Sequence, residues 1–125
     1  AGAVGRGALQ QQGLQALQWL SSEISKRPHP NESWDATVVI THFAPSVRSG
    51  DPRYGAQLST ACFCNADDAL IPLADVWLHG HVHCRHDYTV PSPLPKTPAR
   101  VVSQARGLVA KGEVDGYDAL KLIRV

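Results

Sequence analysis

At 125 residues the chain has room for one small domain and not for two. Hydrophobic residues at 43% and charged residues at 18% fit a globular core rather than a disordered tail. A net charge of +1 gives no basic footprint for nucleic acid or an acidic membrane, and no apolar run approaches the ~20 residues of a membrane-spanning helix.

The opening AGAVGRGALQQQG has no apolar h-region of an export signal. The chain starts at Ala1 and contains no Met, which predicts a piece of a longer protein. Leu9, Leu14, Leu17, Leu20 and Ile24 recur at helical spacing and predict an amphipathic helix over 8–26, its stripe broadened by Ala16 and Trp19. Arg27-Pro28-His29-Pro30-Asn31 ends it, because Pro cannot continue a helix. Ala36-Thr37-Val38-Val39-Ile40-Thr41 is β-branched without alternation, the pattern of a strand buried on both faces.

The stretch 43–60 holds two Pro, two Gly and three Ser, and at 18 residues it is longer than most connections, which marks a functional loop. Asn65 is a cap for a short helix reaching Leu73. Asp75-Val76-Trp77-Leu78-His79 reads as a second buried strand stopped by Gly80, and 86–90 as a third. A proline-punctuated turn fills 91–98, and 100–103 and 119–125 close the chain as short strands. A helix between two buried strands implies an α/β fold with those strands parallel and later ones antiparallel, hence a mixed sheet.

Both buried strands end in histidine: His42 follows the first, and Gly80-His81-Val82-His83 follows the second. Parallel strands bring both groups to one carboxyl edge, where open α/β sheets bind ligands. Neutral imidazoles two residues apart beside a glycine can share one small volume and ligate zinc, iron, manganese or nickel. A single strand-end histidine is more often a hydrogen-bonded edge residue, and His79 is read in that way. Trp34 and Trp77 are expected in the core, and His29 and His86 at the surface. Cys62, Cys64 and Cys84, in a chain without an export signal, are expected to be reduced thiols in a cytoplasmic protein.

Two segments carry a family resemblance. Val39-Ile40-Thr41-His42-Phe43-Ala44-Pro45-Ser46 resembles the T-H-x-A-P-S segment of bacterial calcineurin-like metallophosphoesterases, and Leu78-His79-Gly80-His81-Val82-His83 resembles their G-H-x-H motif. Asp51-Pro52-Arg53-Tyr54 and Leu58-Ser59 are similar to family members too, and Arg100–Gly107 resembles a strand ending in N-P-R-G-Y. The resemblance implies that residues 1–125 are the C-terminal half of one metallophosphoesterase β-sandwich flanked by helices. It implies two metal ions (Mn, Fe or Zn), with His42 and His81 on the second and His83 on the first. It also implies a phosphate mono- or diester substrate, which Arg48 and Arg53 in the long loop are expected to contact, with Arg106 a weaker candidate.

The chain departs from the family pattern where carboxylates are needed. D-x-H and G-N-H are absent, and Gly50-Asp51-Pro52-Arg53-Tyr54 begins like G-D-x-x-D but has Tyr54 at its aspartate. Three histidines cannot neutralise two divalent cations. The missing motifs are expected upstream of Ala1, and this chain alone is expected to bind metal weakly and catalyse little. The rival reading is a non-catalytic or degenerate metal-binding half-domain acting as an interaction module.

Overall fold

The computed structural model describes residues 5–26, 33–93 and 96–125. The chain divides into two units, Ala1–Trp34 and Asp35–Val125, each taken by itself. The first contains α1 (Arg6–Ile24), close to the expected span. Gly5 offers no side-chain cap, and Ser25 ends the helix with its hydroxyl donating to the Ser21 carbonyl at 2.8 Å. Leu9, Leu14, Leu17 and Trp19 are exposed and Ile24 is buried. The predicted stop at 27–31, with His29, lies outside the described residues, as does part of the 91–98 turn. Trp34 is exposed, a correction to its expected place in the core.

The second unit is built on a four-stranded mixed sheet of β1 (Val38–Thr41), β2 (Val76–His79), β3 (His86–Val90) and β4 (Ala99–Ser103), in the order β1-β2-β4-β3. The α/β class and the mixed sheet are as expected. β1 pairs parallel with β2, β2 pairs parallel with β4, and β3 runs antiparallel to β4. The register sets Thr41 beside His79, so β1 and β2 end level and deliver their following residues to one edge.

The helix expected at 65–73 is not there. The Asn65 and Asp67 amides donate instead to the Ala44 and Pro45 carbonyls at 2.7 and 2.9 Å, which stitches this segment to the residues after β1. Pro72 has no N–H to extend a helix, and only a 3-10 turn forms at Ile71–Leu73. Thus β1 and β2 are parallel without the connecting helix from which that was argued. Residues 119–125 also form no strand. The Asp118 carboxylate caps a turn at the Leu120 amide, and Leu120 and Leu122 are exposed.

Trp77 lies fully buried at 0% exposure between its register partners Val39 and Val101. Truncating such a side chain costs roughly 3–5 kcal/mol, so this ring anchors the sheet. Its indole N–H donates to the Thr41 hydroxyl at 2.9 Å, satisfying the buried donor. β2 matches the strand buried on both faces, but β1 does not: Val39 is buried while Val38 is exposed and Ile40 is 75% exposed. A smaller core of Ala44, Cys64 and Val82, with Cys84 against it, sits under the residues that follow β1 and β2.

Candidate functional site

The main chain around His42 is braced from both sides. Thr41 accepts from Trp77 and its hydroxyl donates to the Phe43 carbonyl at 2.7 Å, while the His42 carbonyl accepts from the Gly80 amide at 3.1 Å. After β2 the chain turns within three residues. The Val82 amide donates to the Gly80 carbonyl at 2.7 Å, and His81 between them has φ +62°. This γ-turn with positive φ is rare and strained for a residue bearing a Cβ, costing of order 1–3 kcal/mol.

The turn aims His81 back at β1. Its Nδ1 lies 3.2 Å from His42 Nε2, with ring centroids 4.9 Å apart. Phe43 and Phe63 flank the His81 ring at 4.5 and 5.1 Å, fixing its plane. Two nitrogens that close require either one shared hydrogen or one shared cation. Ligand nitrogens around a tetrahedral ion with bonds of about 2.0–2.1 Å stand roughly 3.3–3.4 Å apart, so this pair fits two corners of such a site.

His83, one turn further, lines a cavity of about 440 Å³ together with His81, Asp51, Phe63, Lys111 and Glu113. Its Nδ1 is 3.1 Å from Glu113 Oε2 rather than joined to the other two imidazoles. Among the described residues, no three His, Cys, Asp or Glu side chains gather into a group that could hold a metal. The donor set therefore fits part of a centre. His42 and His81 converge, and His83 reaches the neighbouring cavity wall.

The cavity's carboxylates are already engaged. Asp51 receives the Arg53 side chain through both of its oxygens, which holds its carboxyl below the usual range. Glu113, its side chain only 2% exposed, accepts from the Leu108 amide at 2.7 Å, from Arg53 Nη2 at 3.1 Å and from His83. Its carboxyl is likewise lowered, first by the Leu108 N–H and then by Arg53 and His83. Arg53 thus bridges two carboxylates. Arg48 stacks on the Tyr88 ring at 4.4 Å and donates to the Thr89 carbonyl, so neither loop arginine belongs to the cavity lining. Arg106 is exposed and outside it as well. Lys111 is the cation that lines it, and neither Lys111 nor Glu113 was singled out from sequence.

Gly107 packs directly against Glu113. Its φ is +72°, and a Cβ there would stand 2.3 Å from the Glu113 Cβ and 3.2 Å from the His83 carbonyl. The Arg-Gly of the N-P-R-G-Y-like segment is thus the place where 107, 113 and 83 press together. Arg85 completes the arrangement, donating to the carbonyls of Ala105, Glu113 and Asp115.

His79 is buried at 7% exposure, as expected, with Nδ1 3.2 Å from the Gly80 carbonyl, and burial lowers its pKa. His86 is half-buried, a correction to its expected exposure, because its Nε2 meets the Cys84 thiol at 3.0 Å under the long loop. No described helix is long and apolar enough to cross a membrane. No protein-family model matches the chain, and neither does any curated protein or solved structure.

Proposed function

We propose that this chain contributes the histidine share of a metal-dependent phosphoesterase centre that hydrolyses phosphate mono- or diesters. The observation that supports it is the 3.2 Å approach of His42 and His81 from two separate strand tips, at the cost of a strained backbone at His81. Backbone strain of this kind concentrates at functional sites. In this reading the protein is the C-terminal half of a calcineurin-like metallophosphoesterase. His42 and His81 hold one cation, and His83 is presented to the adjoining cavity for another, with Mn, Fe or Zn suited to the nitrogen and oxygen donors. Bound cations supply charge neutralisation at the phosphoryl oxygens and activation of water. The chain's own contribution is to fix the imidazoles and to offer Lys111 as a positive group on the cavity wall.

A second reading, a non-catalytic metal-binding or interaction module, is favoured by one observation. Asp51 and Glu113 spend their charge on Arg53 rather than leaving it for a cation.

Titration with Mn²⁺ or Zn²⁺ by calorimetry tests the proposal, comparing the protein with His81→Gly, a substitution that suits the positive φ. Wild type should bind, and the variant should lose at least about tenfold in affinity, or 1.4 kcal/mol. Equal binding by both proteins overturns the reading. Turnover of bis(p-nitrophenyl) phosphate by the metal-loaded protein favours the enzyme over the module, since this chain alone is expected to catalyse little.

A further inference from the structure

We infer that Glu113 is the positioning residue that sets the tautomer of His83, holding a hydrogen on Nδ1 so that Nε2 is the lone-pair nitrogen available to a cation. The inference deepens the metal-centre reading above and rests on it for its functional meaning.

Three nitrogens meet on one carboxylate: the Leu108 amide, Arg53 Nη2 and His83 Nδ1. Oε2 takes both the Leu108 amide and His83, while Oε1 takes Arg53. An ionised carboxylate carries no hydrogen, so the 3.1 Å contact to His83 is made only if the imidazole donates. That requires a hydrogen on Nδ1. In the neutral ring Nε2 then bears the lone pair, the only form in which it can ligate. Free neutral imidazole side chains favour the opposite tautomer, with the hydrogen on Nε2, so Glu113 must reverse an intrinsic preference.

The carboxylate is also held where it can do this. The Glu113 carbonyl accepts from Arg85 Nη1 at 3.1 Å, its side chain is buried, and Gly107 packs against it too closely to admit a Cβ. Both Arg85 and His83 belong to the segment that leaves the G-H-x-H turn. The same turn therefore carries the imidazole and anchors its partner. Carboxylate partners of ligating histidines orient the ring and raise its basicity, and their loss typically costs 10–100-fold in metal affinity.

The test reads the tautomer directly, without metal, from the ¹⁵N shifts of the His83 ring at alkaline pH. Wild type should carry the Nδ1 hydrogen, Glu113→Gln should largely retain it through its amide oxygen, and Glu113→Ala should revert to the Nε2 hydrogen. A wild-type His83 with its hydrogen on Nε2 overturns the inference. So does an unchanged tautomer in Glu113→Ala, and, where that variant does not fold, a Glu113→Gln protein that has switched to Nε2–H. Mn²⁺ or Zn²⁺ titration then adds the functional half: Glu113→Ala should bind 10–100-fold more weakly than wild type, and Glu113→Gln, which keeps the tautomer, should lose less. Wild type that shows the expected tautomer yet binds neither ion refutes the metal reading while leaving the Glu113–His83 assignment intact.

Discussion

Replacing Gly107 by Ala should destabilise the Asp35–Val125 unit far more than the same change at Gly112, although both glycines lie in left-handed backbone. Holding an L-residue there costs roughly 1–2 kcal/mol at either position. At Gly112 nothing lies within 4 Å of the added Cβ, so the cost stops there. At Gly107 the Cβ meets the Glu113 Cβ at 2.3 Å, against an ordinary contact of 3.4–4 Å. More than an ångström of relief is needed, and the atom in the way is anchored to main chain rather than being the free end of a side chain. Overpacking of this kind adds about 1–3 kcal/mol, giving roughly 2–5 kcal/mol in total. Domains of this size hold only about 5–15 kcal/mol. Urea unfolding should show the midpoint of Gly107→Ala lowered by about 1–2 M with the slope unchanged, and that of Gly112→Ala by less than half as much. Indistinguishable midpoints for the two variants would show that 107 and 113 do not press together, and the buried seat of Glu113 would fall with them.

The Asp87 carboxyl, bonded through both oxygens to Arg100 and also to Lys121, is lowered to about 2. A lowered carboxylate stabilises above its unfolded pKa near 3.8 and loses that contribution as pH falls toward 2. With the group about a third exposed, Asp87→Asn should cost about 1 kcal/mol at pH 7, and the gap to wild type should close between pH 4 and pH 2 in thermal unfolding. A gap that persists at pH 2 contradicts the assignment. The Cys84 thiol is raised to about 11, chiefly by burial, whereas Cys62 is exposed. Maleimide at pH 7 should therefore modify Cys62 first and Cys84 only on unfolding, as peptide mass mapping would report.

The two central facts of the site were legible because they are local. A β-branched run ending in Thr41-His42, and a second strand ending in Gly80-His81, are enough to put two imidazoles at one sheet edge once the strands are parallel. What the sequence concealed is long-range. Glu113 meets His83 across thirty residues and Arg53 across sixty, and no periodicity announces such a meeting. The loop arginines were expected at a phosphate because guanidinium suits one, but it suits a carboxylate equally, and Asp51 is two residues from Arg53. The strand expected at 119–125 finds no partner among the described residues, and sequence alone cannot supply a neighbour. The apolar run of β1 implied burial on both sides, yet Val38 and Ile40 face solvent on one of them.

The two converging imidazoles do not stand on equal footings. Residue 81 leaves a strand bonded on both flanks, whereas residue 42 leaves a four-residue strand whose single bonded neighbour, among the described residues, is that same central one. Fraying travels inward from such an outer strand, so the ring-to-ring gap inherits the compliance of β1. Slow amide exchange at Trp77 and Val101 with fast exchange at Ile40 would mark one jaw of the pair as fixed and the other as sprung.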